Sequence, residues 1–214
     1  MTGFSSSLAP SLTPDLIGAF LTFAIVSSVT PGPNNAMLVA SGANFGFRAT
    51  VPHLLGVVSG FLTLMLVVGL GLGGLFTAYP VLHLVLAWVG TAYLLYLAVR
   101  IALSDKLSTA KGGAKPLSFR QAFAFQAVNP KGWAMAVGAM TAYAPQTHYL
   151  ANVLAIAVMM TLINIPNATF WTAFGLAMRR FLGRPAVLRA FNIGMGLLLA
   201  LSLIPGLKDL IGAK

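Results

Sequence analysis

Long apolar stretches alternate with short polar ones along this chain. They cover residues 15–45, 51–76, 80–103, 119–142, 149–178 and 186–204. Each reaches the roughly 20 residues that a helix needs to cross a hydrocarbon core about 30 Å thick. The pattern predicts an all-α membrane protein with six transmembrane helices. The first stretch is too long for one straight span, and its middle reads Thr30-Pro31-Gly32-Pro33-Asn34-Asn35. Pro31, Gly32 and Pro33 cannot continue a helix, because proline lacks the N–H donor and its ring clashes with the preceding turn. Backbone freed in this way survives at membrane depth only where it is buried in protein or lines a cavity. A helix opened near the bilayer centre is a binding-site signature of transporters.

The fourth stretch carries a similar interruption, Asn129-Pro130-Lys131-Gly132. Pro130 and Gly132 are its helix-breaking residues. Pro31 and Lys131 each fall near the middle of their stretch, so both breaks come within a turn or two of the midplane. The chain thus divides into a polar tail over 1–14, a first repeat over 15–103, a connection over 104–118, a second repeat over 119–206 and a short tail over 207–214. Three spans per half is an odd number, so the halves insert as inverted 3+3 repeats, the first helix of each broken near the midplane. The tail over 1–14 has no basic residue or clear cleavage site, and is expected to be retained rather than removed as a signal.

Composition supports the membrane reading. Only 7% of the 214 residues are charged, and the mean hydropathy is +0.88. Soluble domains carry roughly 25% charged residues. The formal charge of +10 does not indicate nucleic acid, because the cations sit in short connections. Arg48 follows the first stretch. Arg100, Lys106, Lys111, Lys115 and Arg120 surround the third connection, and Arg179, Arg180, Arg184 and Arg189 the fifth. The positive-inside rule makes that side cytoplasmic and puts both termini outside. A five-span alternative would split these clusters across the membrane. With no cysteine, disulfides and thiolate metal sites are excluded.

Thr30-Pro31-Gly32-Pro33-Asn34 after an apolar run, Gly56 and Gly60 in the second span, and the central Asn129-Pro130-Lys131-Gly132-Trp133 resemble the LysE-type translocators. The nearer resemblance is to the homoserine/threonine-efflux branch, over nearly the whole chain. It implies six transmembrane helices, a bacterial inner membrane, and export of amino acids or related small metabolites. It also suggests proton antiport, so protons join the small-molecule substrate and the lipid bilayer as expected partners. It fixes neither the substrate nor the oligomeric state, for which a homodimer stays open.

Lys131 is the most telling side chain. A lysine at the bilayer centre costs at least about 2.5–3.5 kcal/mol on insertion scales. The three acidic residues, Asp15, Asp105 and Asp209, all lie near span ends. A substrate carboxylate could serve as its counter-ion. The competing reading makes Lys131 a glue that binds carbonyls freed by the first break. Asn34 and Asn35 open the second half-helix, whose free N–H groups suit a carboxylate. They could instead only cap it, and a role each is expected. Carbonyls around Ser28 and Thr30 could receive an ammonium, and Asn129 belongs to the second break. Asn164 and Asn167 share a face around Pro166, which is expected to kink the fifth span. They face either the cavity or a neighbouring helix. Trp133 and Trp171 are expected as packing or cavity wall. His53, His83 and His148 are expected to be interfacial anchors. Gly69, Gly71, Gly73 and Gly74 are expected to allow close helix packing.

No enzyme motif is present, and Gly56-Val57-Val58-Ser59-Gly60 is not a nucleophile elbow because its serine is displaced by one. No cofactor or resident metal is expected. A cation or metal exporter of related 3+3 build is the alternative, disfavoured by the shortage of acidic and thiol ligands. With no nucleotide-binding element, energy must come from a gradient. The chain offers no carboxylate relay, so Lys131 or a histidine would have to carry a coupled proton.

Overall fold

A computed structural model describes residues 12–72, 80–103, 115–145 and 147–204. Helices α1 (Pro14–Val29), α2 (Pro33–Phe45) and α3 (Phe47–Val67) come first. After them run α4 (Pro80–Ala102), α5 (Phe119–Phe125), α6 (Pro130–Tyr143), α7 (Tyr149–Met178) and α8 (Pro185–Leu201). No strand occurs among the described residues. Pro14, Pro33, Pro80, Pro130 and Pro185 each begin a helix. There the missing N–H is one that the first turn leaves unpaired anyway. Ser118 and Gln121 form a capping box at the start of α5.

Among the described residues two helices are long and apolar enough to cross a membrane, Phe47–Gly71 and Tyr149–Phe181. A third span arises if α1 and α2, bent by 50° at their break, are taken together. The opening predicted at Pro31 is therefore present. The second one lies between α5 and α6, where a 3₁₀ turn over Gln126–Val128 ends at extended Asn129. Pro166, by contrast, sits inside the unbroken α7. A lone proline removes one hydrogen bond while the flanking turns keep theirs. No opening comparable with those at Pro31 and Pro130 forms there.

Glycine sets how closely the helices approach. A Cβ on Gly42 of α2 would lie 2.2 Å from the Thr172 carbonyl oxygen of α7, and one on Gly175 of α7 would lie 2.1 Å from the Val39 oxygen of α2. In α3, Gly56 and Gly60 face the Phe119 and Phe123 carbonyls of α5 in the same manner, at 2.4 and 2.8 Å. Gly196 brings α8 onto Ala98 of α4. Small residues permit such approaches where lipid supplies no hydrophobic drive between helices. The other end of the bundle is filled by large side chains instead. Phe20, Phe61, Met65, Met140, Ile156 and Met160 pack there from α1, α3, α6 and α7.

Of the second-span glycines, Gly69 packs closely against Val153 and Met140, as expected. Gly71 has φ 102° and open space around it, so it serves backbone conformation rather than packing. Gly73 and Gly74 lie outside the described residues. Leu150, Leu154, Val158, Leu162 and Ile165 form an exposed stripe along α7. In a membrane protein such a stripe meets lipid.

Candidate functional site

The two breaks meet. The Lys131 ammonium donates to the carbonyl of Thr30, 101 residues earlier in the chain. Its aliphatic stem lies over Gly32, where a Cβ would come within 2.6 Å of Lys131 Cδ. Gly32 is extended rather than left-handed, with φ −165°. Space, and not backbone strain, is what requires glycine there.

Asn35 splints the first break. Its Nδ2 donates to the Ser28 carbonyl at 2.9 Å and the Thr30 carbonyl at 3.2 Å. Its Oδ1 accepts from Asn167 Nδ2 at 3.4 Å, and Asn167 Oδ1 in turn accepts from Trp171 Nε1 at 3.1 Å. Asn34 instead reaches across to the turn after α5 and pairs with Gln126 in both directions, at 3.0 and 3.1 Å. The side chain of neither asparagine caps α2, whose N-cap is Gly32 with no side-chain bond. Trp133 donates to the Ala127 carbonyl at 2.9 Å, closing the second break as Asn35 closes the first.

These groups surround a small cavity that is open at its mouth. Asn34, Asn35, Asn129, Lys131, Asn164 and Asn167 all line it, and Thr30 joins through the Lys131 bond. Ser27, Ser28, Phe61 and Met135 complete the polar and apolar parts of the wall. α2 and α6 both begin at this cavity without a side-chain cap. Their uncapped N–H groups and dipole ends add to the Lys131 charge. Among the described residues no carboxylate lines the cavity. Two buried oxygens in its wall, Ser28 Oγ and Asn129 Oδ1, have no hydrogen-bond partner. Buried polar groups without partners are rare enough to need a reason, and a bound ligand is one.

Gln126 and the Ser28 hydroxyl were not among the residues expected from sequence. Gln126 is buried and uses its whole amide: besides Asn34 it accepts from Asn129 Nδ2 at 3.0 Å and donates to the Ala122 carbonyl at 3.1 Å. Its position three residues before Asn129, in an apolar stretch, was the available signal. Lys131 combines both readings open for it, since it bonds a freed carbonyl and also lines the cavity. Trp171 is anchored to Asn167 and packs on Phe170 and Phe174.

The histidines separate. His148 is exposed at the start of α7, with φ 52°. The His83 side chain lies outside the described residues. His53 is not an interfacial anchor: it is 1% exposed, and neither ring nitrogen has a hydrogen-bond partner. Helices α2 and α5 pack on α3 there, which depth along the chain alone could not reveal. Among the described residues no three His, Asp or Glu side chains gather as a metal site would require.

The two helix openings expected from the motifs thus meet at one amide-lined cavity. The LysE type translocator family model matches residues 25–202. The chain belongs to the LysE-type translocator family. It is 35% identical over 192 residues to the cysteine/O-acetylserine efflux protein of Escherichia coli strain K12, covering 88% of this chain and 95% of that one. The Shigella sonnei protein of the same name matches equally, and that of Escherichia coli O1:K1 is 34% identical over 194 residues. These relatives are efflux proteins named for cysteine and O-acetylserine, whereas the motifs resemble the homoserine/threonine branch. Both names denote amino-acid efflux. No solved structure gives a significant match. This LysE-type translocator is a membrane transport protein and not an enzyme.

Proposed function

We propose that this translocator exports small, electrically neutral amino acids across the bacterial inner membrane. The observation that carries the reading is the convergence of two uncapped helix N-termini and Lys131 on a cavity without carboxylates. That charge pattern suits a substrate carboxylate, which can take the Lys131 ammonium away from Thr30. The substrate ammonium then finds oxygen acceptors: the released Thr30 carbonyl, Ser28 Oγ and Asn129 Oδ1. Asn34, Asn35, Asn164 and Asn167 orient the backbone of the amino acid, and Gln126 holds Asn34 in place. Phe61 and Met135 receive a short side chain. A basic side chain would meet no counter-ion in this cavity, and a second carboxylate would compete for a single lysine. The names of the relatives, cysteine and O-acetylserine efflux, are of the neutral class.

Proteoliposome exchange tests this. Labelled cysteine, O-acetylserine or threonine should exchange, and excess unlabelled lysine or glutamate should compete poorly. Equal competition by lysine would remove the neutral-substrate reading.

The same proposal takes the chain as six spans in two inverted repeats, 15–103 and 119–206, joined by a cytoplasmic connection over 104–118, with both termini outside. The cation clusters support it. Cysteines introduced at Ser5 and Ser108 should label with an impermeant reagent from opposite faces of the membrane. Labelling of both from one face would overturn the orientation. Proton motive force is the proposed energy source, supported by the family resemblance and by the lack of a nucleotide-binding element in the sequence.

A further inference from the structure

His53 has no part in the cavity, yet its setting needs an explanation. It lies in α3 between two close contacts. Thr50, one turn earlier, meets Ser41 of α2 through their hydroxyls at 2.9 Å. Gly56 and Gly60, on the following turns of the same face, press against α5. Gly60 also touches Gln126, where a Cβ would lie 2.8 Å from Gln126 Cγ. His53 therefore sits about 10 Å along α3 from the amide that holds Asn34, at seven residues of helical rise. It is 1% exposed and both ring nitrogens are unpartnered.

An imidazole buried this way forfeits the hydrogen bonds that water gave it, and a charged one would cost more again. Among the described residues no carboxylate on the helices packed against it offsets this. Helices α2, α3, α5, α6 and α7 carry no Asp or Glu. The charged groups on them and at their ends are all cations. Arg48 and Arg120 are exposed near the same end, Arg179 lies beside Gly46, and Lys131 lies across the cavity. Tyr149 and Tyr143 are at the far ends of α7 and α6. A packed core position occupied by phenylalanine or leucine would avoid the cost entirely. Histidine makes sense there if the seam between α3 and α5 opens to water during the cycle.

We propose that His53 is a proton-binding site in the α3–α5 seam, filled from the side of Arg48 when the seam opens and emptied when it closes. One ring nitrogen takes a proton from water on that side; the same proton returns to that water before the glycine faces of α3 close on α5. Proton binding then favours the open seam, because only the open form solvates the cation. The sign follows directly. Acid on that side holds the seam open, and alkaline conditions let it close. This rests on the exporter reading above and adds to it a control on the opening of the inner end. The proton here need not be the one that drives transport.

The experiment is substrate exchange in proteoliposomes at equal pH on both sides, from 8 down to 5.5, so that no gradient acts. The wild-type rate should change severalfold across this range. His53→Gln, which keeps a polar side chain but cannot take the proton, should exchange at a pH-independent rate. A His53→Gln profile that matches wild type overturns the proposal. If that variant does not fold, carbethoxylation by diethylpyrocarbonate decides the matter. In a protein with His83→Gln and His148→Gln, His53 should be modified, and faster when exchangeable amino acid is present. No modification under exchange conditions overturns the site. Wild-type protein that exchanges no amino acid would contradict the exporter reading instead, and the carbethoxylation result would still report on His53.

Discussion

Lys131→Met is expected to leave the protein folded and inserted while export per folded molecule falls about a hundredfold. On the proposed pairing of Lys131 with a substrate carboxylate, losing the lysine costs about 2–5 kcal/mol, and about 1.4 kcal/mol is a factor of ten. Methionine keeps much of the length and apolar packing of the stem over Gly32. What it removes is the ammonium that reaches Thr30 and faces the cavity. Lys131→Arg should also impair export. A planar guanidinium does not reproduce an ammonium seated against one carbonyl, and it is larger where Gly32 already leaves little room. The measurement is transport in proteoliposomes normalised to folded protein. Near-normal specific activity for the methionine variant with reduced folded yield would leave Lys131 as a bond between the two breaks. The substrate carboxylate would then fall to the α2 N-terminus and Asn34.

Gly42→Ala and Gly175→Ala should each lower folded yield sharply, although alanine is the better helix former. The two effects have opposite signs and their sizes decide the outcome. Replacing glycine by alanine in a helix gains about 1 kcal/mol of propensity. At Gly42 the new methyl would lie 2.2 Å from a backbone oxygen, where ordinary contact begins at 3.4 Å. The neighbour is a helix backbone and cannot swing aside, so α2 and α7 must part by roughly 1 Å along the seam. Overpacking of this kind costs about 1–3 kcal/mol, and a displaced helix pair belongs at the upper end. Gly194→Ala provides the control, since nothing stands within 4 Å of its Cβ position. Thermal unfolding in detergent should show the first two variants destabilised and the third unchanged or slightly stabilised. Equal melting of all three would mean that the α2–α7 approach is not a determinant of stability.

The sequence by itself determined the membrane class, the positions of the helices and the two breaks. Those features depend on local chemistry. An apolar run long enough to cross a bilayer can hardly be anything else, and Pro31, Gly32, Pro33 and Pro130 act through their own backbone. Five helices begin at prolines visible in the chain for the same reason. The motif pair also carried the family, because TPGPN and NPKGW occur together at the right separation. Pro166 acts within a continuous helix: α7 runs on through it because a single lost hydrogen bond does not outweigh the turns around it.

Only the tertiary structure decided what each polar side chain touches. Asn34 and Asn35 are neighbours in sequence with the same chemistry, yet one helix step turns Asn35 back to Ser28 and Thr30 and sends Asn34 across to Gln126. Gln126 gains importance only when α5 is laid against α3, and Lys131 finds Thr30 only when the two breaks meet. His53 shows the limit most plainly. Its place near the end of a span suggests an interface, but burial is a property of the helices that pack on it. The glycines that bring α3 onto α5 closed that space, and the pairing of these two helices, through Gly56 on Phe119 and Gly60 on Phe123, is a long-range choice that no local pattern encodes.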